Sequence, residues 1–248
     1  MTRWYLYGVV PSQAHIPGEL RGLGAAAPPP TLATHGAVAA VVSPIDECRA
    51  LGSRRDLLTH ARVLDGLAGA TAVLPARFGM MFDELETIVA QVLEPRGAAF
   101  SEALARLAGL MQFTVTVRHV PAAVLGEVLA ADPEIAELRD LVRAGAARPD
   151  VRVRLGELVA AALARRRAHD ARCLHAVLEP HRVAAVERPV AAADQAVSAA
   201  FLVERQRRAG FEAAVERLAV EQAGRARVRL LGPLAPYDFA DALLDGPT

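Results

Sequence analysis

The sequence predicts a mixed α+β protein of two domains. Short apolar runs typical of strands alternate with longer segments whose apolar residues recur at the 3.6-residue helical period. Proline and glycine clusters separate these segments, and no internal sequence repeat relates the two halves. Because each half contains both strands and helices, we place a boundary near residue 110 and predict domains at 1–110 and 111–248.

The first half begins with a strand over residues 5–10, which a proline- and glycine-rich loop follows over residues 11–34. The apolar run 38–42 indicates a second strand that is buried on both faces. An apolar stripe then predicts a helix over residues 54–68, and a short strand follows at 72–74.

A second helix of the first half is predicted over residues 83–94, where apolar residues keep the helical period. Pro95 should interrupt it, because a proline inside a helix removes one hydrogen bond and clashes with the preceding turn. The helix is expected to resume over residues 98–110.

The second half reads strand, helices, strand, strand, helix, strand. The predicted ranges are a strand at 113–117, helices at 121–131, 133–144 and 151–178, strands at 182–188 and 197–204, a helix at 206–222 and a strand at 226–231. This is the split βαββαβ order of a ferredoxin-like domain whose first crossover is expanded into several helices. The first half fits a modified version of the same plan. Gly232-Pro233 should end the last strand, since proline has no N–H to donate.

Composition excludes several classes of protein. The 248 residues are 53% hydrophobic and 23% charged, so the chain can bury a sizeable core. The 28 basic residues, all of them Arg, balance 28 acidic ones, which argues against a nucleic-acid-binding protein. The one stretch longer than about 18 residues without a charged side chain, 22–45, is broken by prolines and glycines, so no membrane-spanning helix is expected. The N-terminus reads directly as a strand rather than a signal peptide, so we expect a cytoplasmic protein.

Several motifs resemble one known family. Trp4-Tyr5-Leu6-Tyr7-Gly8 opens the chain, Leu74-Pro75-Ala76-Arg77-Phe78-Gly79 follows the first long helix, and Gly232-Pro233-Leu234-Ala235-Pro236-Tyr237-Asp238-Phe239 closes the chain. In this order they resemble the YxYG, LPxRFG and GPxxPYxF signatures of the gas vesicle GvpF/GvpL family. The segments 112–115 and 199–203 match more weakly. Gln112 stands where the family usually has an acid, and an expected Asn before residue 199 is absent.

The resemblance implies a non-enzymatic accessory protein of gas vesicle formation, without a cofactor, that binds the hydrophobic GvpA-type shell subunit and other gas vesicle accessory proteins. It also implies two α+β domains, of which the N-terminal one is ferredoxin-like. Strand addition to a sheet edge or docking of a helix could hold such an apolar subunit. Candidate partner-binding residues are the aromatic pair Tyr237 and Phe239 and the run Met80, Met81 and Phe82. For the methionine run, packing in the core beneath the following helix is the favoured alternative.

The sequence also bears on two other functions. A small-molecule-binding regulatory module would use the interdomain cleft as its pocket, but the chain has few uncharged polar residues for such a site. An enzyme is disfavoured because no nucleophile–base or cofactor motif occurs, and His60 and Asp65 are badly spaced for a pair on a helix. His169 and Cys173 have the spacing of half a zinc site, yet no second ligand pair is visible, and Cys48 lies far from Cys173.

Overall fold

The computed structural model describes residues 2–24, 27–46, 51–145 and 147–244. The strands are β1 Thr2–Pro11, β2 Thr31–His35, β3 Val38–Asp46, β4 Leu74–Pro75, β5 Met81–Phe82, β6 Leu110–His119, β7 Ala184–Glu187, β8 Gln195–Glu204 and β9 Ala226–Leu234. The helices are α1 Arg54–Ala70, α2 Leu85–Ile88, α3 Glu94–Leu107, α4 Pro121–Ala131, α5 Pro133–Arg143, α6 Pro149–Leu178, α7 Arg208–Glu221 and α8 Tyr237–Leu244. The predicted α+β fold class is confirmed.

The first sheet has the strand order β2-β3-β1-β4, with the short β5 also pairing with β1. All of these pairs are antiparallel. Strand β1 lies in the middle, and its six consecutive buried residues, 5–10, show that both faces of the sheet are covered. This is the ferredoxin-like order, except that the connection from β1 to β2 contains no helix among its described residues.

Helix α1 packs on this sheet because its sequence both caps it and gives it an apolar face. The Ser53 hydroxyl accepts a hydrogen bond from the Asp56 N–H, while the Asp56 carboxylate accepts one from the Ser53 N–H. Such a capping box satisfies backbone donors that the first helical turn leaves free. Val63, Leu64 and Leu67 then lie fully buried against strand residues in the core.

The second sheet has the order β7-β8-β6-β9. Counted within their own half, these are the second, third, first and fourth strands, which is again the ferredoxin-like order. Three helices, α4 to α6, occupy the crossover from β6 to β7, as the sequence predicts. Strand β8 is buried over nine consecutive residues, 195–203, which fits its place inside the sheet.

A buried ionic network joins the second sheet to its crossover helices. The His119 ring at the end of β6 lies 2.6 Å from the Asp170 carboxylate on α6. Arg225, just before β9, donates to Asp170 at 3.0 Å and to Glu127 on α4 at 3.1 Å. Glu127 also accepts from Arg166. Asp170 is the buried carboxylate of this network, and its contacts with Arg225 and the His119 ring let it tolerate burial that an isolated charge would not.

Three predictions about local structure are wrong. The predicted loop 11–34 includes part of β2, since Thr31–His35 pairs with β3. Pro95 does not interrupt its helix: a π-helical turn, Val89–Leu93, runs directly into α3. The wider π turn accommodates the proline ring, which would meet the Gln91 carbonyl in a regular helix. Gly232-Pro233 does not end the last strand either, because β9 continues to Leu234.

The chain divides into two compact units that are not consecutive in sequence. One comprises Met1–Phe113, Leu202–Arg205 and Gly232–Thr248, and the other comprises Thr114–Phe201 and Gln206–Leu231. The final helix α8 therefore belongs to the first unit. The predicted domain ranges 1–110 and 111–248 stay a prediction about which parts of the chain fold independently.

Candidate functional site

Both groups of predicted partner-binding residues lie in the first unit. Met81 and Phe82 form β5, where they stand opposite Tyr5 and Trp4 of β1. The Met80 carbonyl accepts a hydrogen bond from the Leu6 N–H at 3.0 Å. The run thus adds a short edge segment to the first sheet, and its three side chains are partly buried.

The aromatic pair lies on helix α8 rather than in an extended tail. Tyr237 is 40% exposed, whereas Phe239 is only 6% exposed and packs into the unit. Tyr237 is therefore open to a partner, and Phe239 supports the helix that presents it. The sequence motif identified both residues without distinguishing these two environments.

A cavity of about 360 Å³ lies between α8, α1 and the segment after β4. We call this cavity the α8 groove. Its lining is largely apolar, and Leu57 at its rim is 48% exposed. The residues that line it are Leu57, His60, Pro75, Ala76, Arg77, Phe78, Tyr237, Ala240 and Asp241. The structure thus brings Tyr237 together with the LPxRFG segment, which sequence reasoning had treated separately.

His60 and Phe78, which line the groove, belong to an aromatic cluster that includes the buried Tyr5. The Tyr5 hydroxyl lies 2.9 Å from His60 Nδ1 and accepts a hydrogen bond from the Gly79 N–H at 3.1 Å. The rings of Tyr5 and Phe78 approach the His60 ring edge-on, with centroids 5.7 and 5.6 Å from it. Because Tyr5 is on β1 and Gly79 follows β4, this hydroxyl ties the LPxRFG segment to the sheet.

Burial keeps the ionisable groups of the cluster neutral. It raises the pKa of the Tyr5 hydroxyl to about 12 and lowers the pKa of His60 below its ordinary value. The Ala76 backbone partly opposes the lowering at His60, although Nε2 makes no hydrogen bond of good geometry. Burial also raises the pKa of Tyr237, with Asp65 as the next cause. A neutral imidazole beside neutral phenols favours packing and hydrogen bonding over charge recognition.

His60 and Asp65 do not form an acid–base pair, since each has a different partner. His60 contacts Tyr5, while the Asp65 carboxylate accepts a hydrogen bond from the Ala235 N–H at 2.8 Å. Burial raises the pKa of Asp65, and the bond to Ala235 opposes the rise. Asp65 therefore serves to fix the chain just before α8.

Gln112 provides a second anchor for α8. Its side-chain amide donates to the Asp238 carboxylate at 2.6 Å, and its carbonyl oxygen accepts from the Asp238 N–H at 3.2 Å. Asp238 lies in the first turn of α8, where an acidic side chain is favourable. This pairing explains why an amide can stand at position 112. In the sequence, the only indication of the pairing is the unexpected residue type at that position.

The predicted metal half-site does not extend to a third ligand. His169 Nε2 and Cys173 Sγ lie 3.5 Å apart on α6. Over the described ranges, no group of three or more His, Cys, Asp or Glu side chains could hold a metal ion. Cys48 falls outside the described residues. Within the same ranges, no helix is both long and apolar enough to cross a membrane.

The architecture defines a protein of two α+β units with ferredoxin-like sheet order. Residues 3–241 match the family model described as gas vesicle synthesis protein GvpL/GvpF. The chain belongs to this family, as the sequence motifs predicted.

Relatives and solved structures resemble this chain over most or nearly all of its length. Gas vesicle protein F of a Streptomyces species is 35% identical over 240 residues, which are 96% of this chain and 99% of the relative. Gas vesicle protein F of a Nostoc species is 29% identical over 77% of this chain and 79% of the relative. A crystal structure of GvpF from Anabaena superposes with a TM-score of 0.83 at 27% identity, covering 97% of this chain and 98% of that one. A GvpF structure from Microcystis aeruginosa shares the fold with a TM-score of 0.80 at 24% identity, covering 96% and 98%.

Proposed function

We propose that this protein is a non-enzymatic accessory factor of gas vesicle formation that binds the hydrophobic shell subunit of the GvpA type. The observation that carries the proposal is the similarity, over almost the full length of both chains, to relatives named gas vesicle protein F. In this proposal the protein works in the cytoplasm, at the gas vesicle. It keeps an apolar subunit from collapsing non-specifically before the subunit joins the wall.

The α8 groove is the surface that best suits this task. An exposed tyrosine and an exposed leucine, Tyr237 and Leu57, flank an opening lined by Phe78 and Ala240. Such a concave apolar site can accept the apolar face of a helix, and the aromatic side chain offers a large contact area at small entropic cost. The nearby β5 segment, Met81–Phe82, extends the candidate surface.

The test is co-expression with the shell subunit from the same source, followed by capture through a tag on this protein. We expect capture by the wild type and a loss of roughly tenfold or more with Tyr237→Ala, since exposed aromatic anchors often dominate binding. Tyr237 has no side-chain hydrogen bond among the described contacts, so its removal should leave the fold intact. Val220→Ala, at a valine 71% exposed in the second unit, is the matched control and should capture normally.

Deleting residues 232–248 would be a poor test, because Ala235 and Phe239 belong to the buried core. Phe239→Ala distinguishes a residue that stabilises α8 from one that contacts the shell subunit. This variant should lower thermal stability and reduce capture only through loss of structure. Folded wild-type protein that fails to capture the shell subunit would overturn the proposal. Normal capture by Tyr237→Ala would show that the shell subunit does not bind through the α8 groove.

A second candidate is a small-molecule-binding regulatory module. One observation favours it: His60, which lines the α8 groove, is 4% exposed and its Nε2 lacks a hydrogen-bond partner. A ligand with a hydrogen-bond acceptor could satisfy that nitrogen. A panel of metabolites should then raise the melting temperature of the wild type but not of His60→Phe. No stabilisation by any compound would exclude this function for the compounds in the panel.

A further inference from the structure

A second, larger cavity lies on the opposite flank of helix α1. Its volume is about 750 Å³, and α1 and the loop of residues 19–24 form its walls. We call it the arginine groove. It is lined by Glu19, Leu20, Arg21, Gly22, Gly24, Arg54, Arg55, Leu58, Thr59, Arg62, Val63 and Gly66. None of these residues lines the α8 groove, so the two sites are separate surfaces of the first unit.

The loop wall of the arginine groove is fixed in place. The Leu23 N–H donates to the buried Tyr7 hydroxyl at 2.8 Å. The Arg21 guanidinium donates to the carbonyls of Gly18 and Leu20 at 2.7 and 2.8 Å. Leu20 also packs so closely on α1 that a Cβ on Gly66 would lie 2.6 Å from its methyl carbon. A preformed wall lowers the ordering cost of binding.

The charge of the groove is strongly one-sided. Four arginines line it against a single acid, Glu19, in a chain whose formal net charge is zero. Arg54, Arg55 and Arg62 are exposed and form no ion pair with any carboxylate in the described parts of the chain. These guanidinium groups are therefore free to bind the carboxylates of another molecule.

The spacing of these groups indicates an extended ligand. Arg55 and Arg62 are separated by seven residues of one helix, which places them about 10 Å apart along its axis. Leu58, which is 51% exposed, lies between them. A single small anion cannot span that distance, whereas a helix with acidic residues seven apart and an apolar residue between them matches all three positions.

We propose that the arginine groove docks an acidic amphipathic helix of a protein partner. The apolar face of that helix packs on Leu58, and its carboxylates pair with Arg55 and Arg62. This docking is independent of the α8 groove and of the shell-subunit binding proposed above, so failure of one leaves the other standing. It would let the protein hold two partners at once.

The test uses a fluorescein-labelled helical peptide of about 18 residues, with Glu at positions seven apart and Leu between them, and full-length protein in a fluorescence anisotropy titration. We expect saturable binding that weakens as sodium chloride rises, since exposed ion pairs are screened. A peptide with Gln in place of each Glu should bind at least tenfold more weakly. The double variant R55E/R62E should also bind the acidic peptide about tenfold more weakly or worse.

The matched control is R152E/R227E, which makes the same change in net charge at two exposed arginines of the second unit. It should bind the acidic peptide as the wild type does. Leu58→Ala should weaken binding without changing its salt dependence. Equal binding of the Glu and Gln peptides, or equal losses in the two double variants, would overturn the proposal. So would tighter binding of a labelled oligonucleotide than of the acidic peptide, which would make the groove a nucleic-acid site.

Discussion

At the scale of single residues, the buried imidazole of His60 has a consequence for stability. Burial lowers its pKa in the folded protein, while the unfolded chain has the ordinary value of about 6.5. Between these two values the unfolded state binds more protons, so the free energy of unfolding should rise with pH and level off above about 6.5. Below that plateau the slope contributed by one histidine is at most about 1.4 kcal/mol per pH unit.

Urea denaturation at pH 5.5 and 7.5 measures this effect. His60→Gln should show a smaller difference between the two pH values than the wild type, whatever its stability at pH 7.5. His15→Gln, at an exposed histidine, should keep the wild-type difference. An unchanged pH difference in His60→Gln would contradict the prediction.

The pairing of Gln112 with Asp238 yields a second prediction at this scale. Gln112→Glu, which introduces the acid that the resemblance to the family implies at this position, would place two carboxylates where the structure has an amide 2.6 Å from a carboxylate. We expect a loss of about 1–3 kcal/mol in unfolding free energy at pH 7. Repulsion raises the pKa of one carboxyl, so this loss is present at neutral pH and shrinks as the pH falls and that carboxyl is protonated.

Equilibrium denaturation of the wild type and three variants checks this prediction. Adding Asp238→Asn to Gln112→Glu should restore much of the lost stability, because the pair again joins an amide to a carboxylate. Gln91→Glu, at an exposed glutamine, should change stability by no more than about 0.5 kcal/mol. A Gln112→Glu variant as stable as the wild type at pH 7 would show that the pair contributes nothing.

The sequence motifs identified functional candidates by residue type, but they did not predict whether each side chain is exposed or buried, or which group it contacts. The motifs led to Tyr237 and Phe239, but whether each is exposed or buried depends on which face of α8 meets the unit. Asp65 looked like half of an unsuitable pair with His60. Its real partner, the Ala235 N–H, lies 170 residues away in the chain and becomes adjacent only through the fold.

At the scale of elements, the conformation of Gly232 explains how strand β9 continues through Gly232-Pro233 to Leu234. Its φ of +148° is one that residues with side chains rarely adopt. A Cβ there would also lie 2.5 Å from the Phe113 ring and 3.0 Å from the Gln112 carbonyl oxygen. The strand therefore approaches its neighbour more closely than any other residue would allow.

Gly232→Ala should lower the free energy of unfolding by about 1–3 kcal/mol, through backbone strain and overpacking against Phe113. Gly156→Ala is the control, because Gly156 is an exposed position inside α6 with open space around it. That change should raise stability by about 0.5–1 kcal/mol. Chemical denaturation compares them; a neutral effect at position 232 would mean that the strand shifts to make room.

Regular elements were predictable from periodicity, and irregular ones were not. The long helix α6 and the buried strand β8 follow clear patterns in the sequence. Strand β2 is only five residues long and follows a proline run, so local signals favoured a loop. Its partner β3 supplies the hydrogen bonds, which no local pattern reveals. The π turn before Pro95 likewise depends on packing rather than on propensity.

At the scale of the whole molecule, the chain order of the two units gives a further prediction. Ala235 is fully buried and Phe239 nearly so, and both belong to the unit that begins at the N-terminus. The predicted domain 1–110, made alone, should therefore melt at a lower temperature and bind a hydrophobic dye, because part of its core is missing.

A peptide of residues 232–244 added to that fragment should raise its melting temperature, since it binds only the folded form. The same peptide with Phe239→Ala should raise it less. A fragment 1–110 that melts cooperatively like the full protein, and is indifferent to the peptide, would instead support the predicted boundary.

The shared strand order of the two sheets could be predicted only in part. The βαββαβ order of the second half could be predicted from the sequence, because the apolar residues of its crossover helices recur clearly at the helical period. In the first half, the connection after β1 lacks a described helix, so the same order emerges only from the pairing of β1 with β3 and β4. Two sheets can share a topology without similar sequences, because strand order depends on long-range pairing rather than on local residues.

The return of the last helix to the first unit also bears on synthesis of the protein. A ribosome makes the chain from its N-terminus, so all of residues 114–201 and 206–231 emerge before Ala235 and Phe239. The unit that starts first is consequently finished last. Until residues 235–244 have emerged, the nascent chain presents the vacant core position of α8, and their arrival completes the first unit.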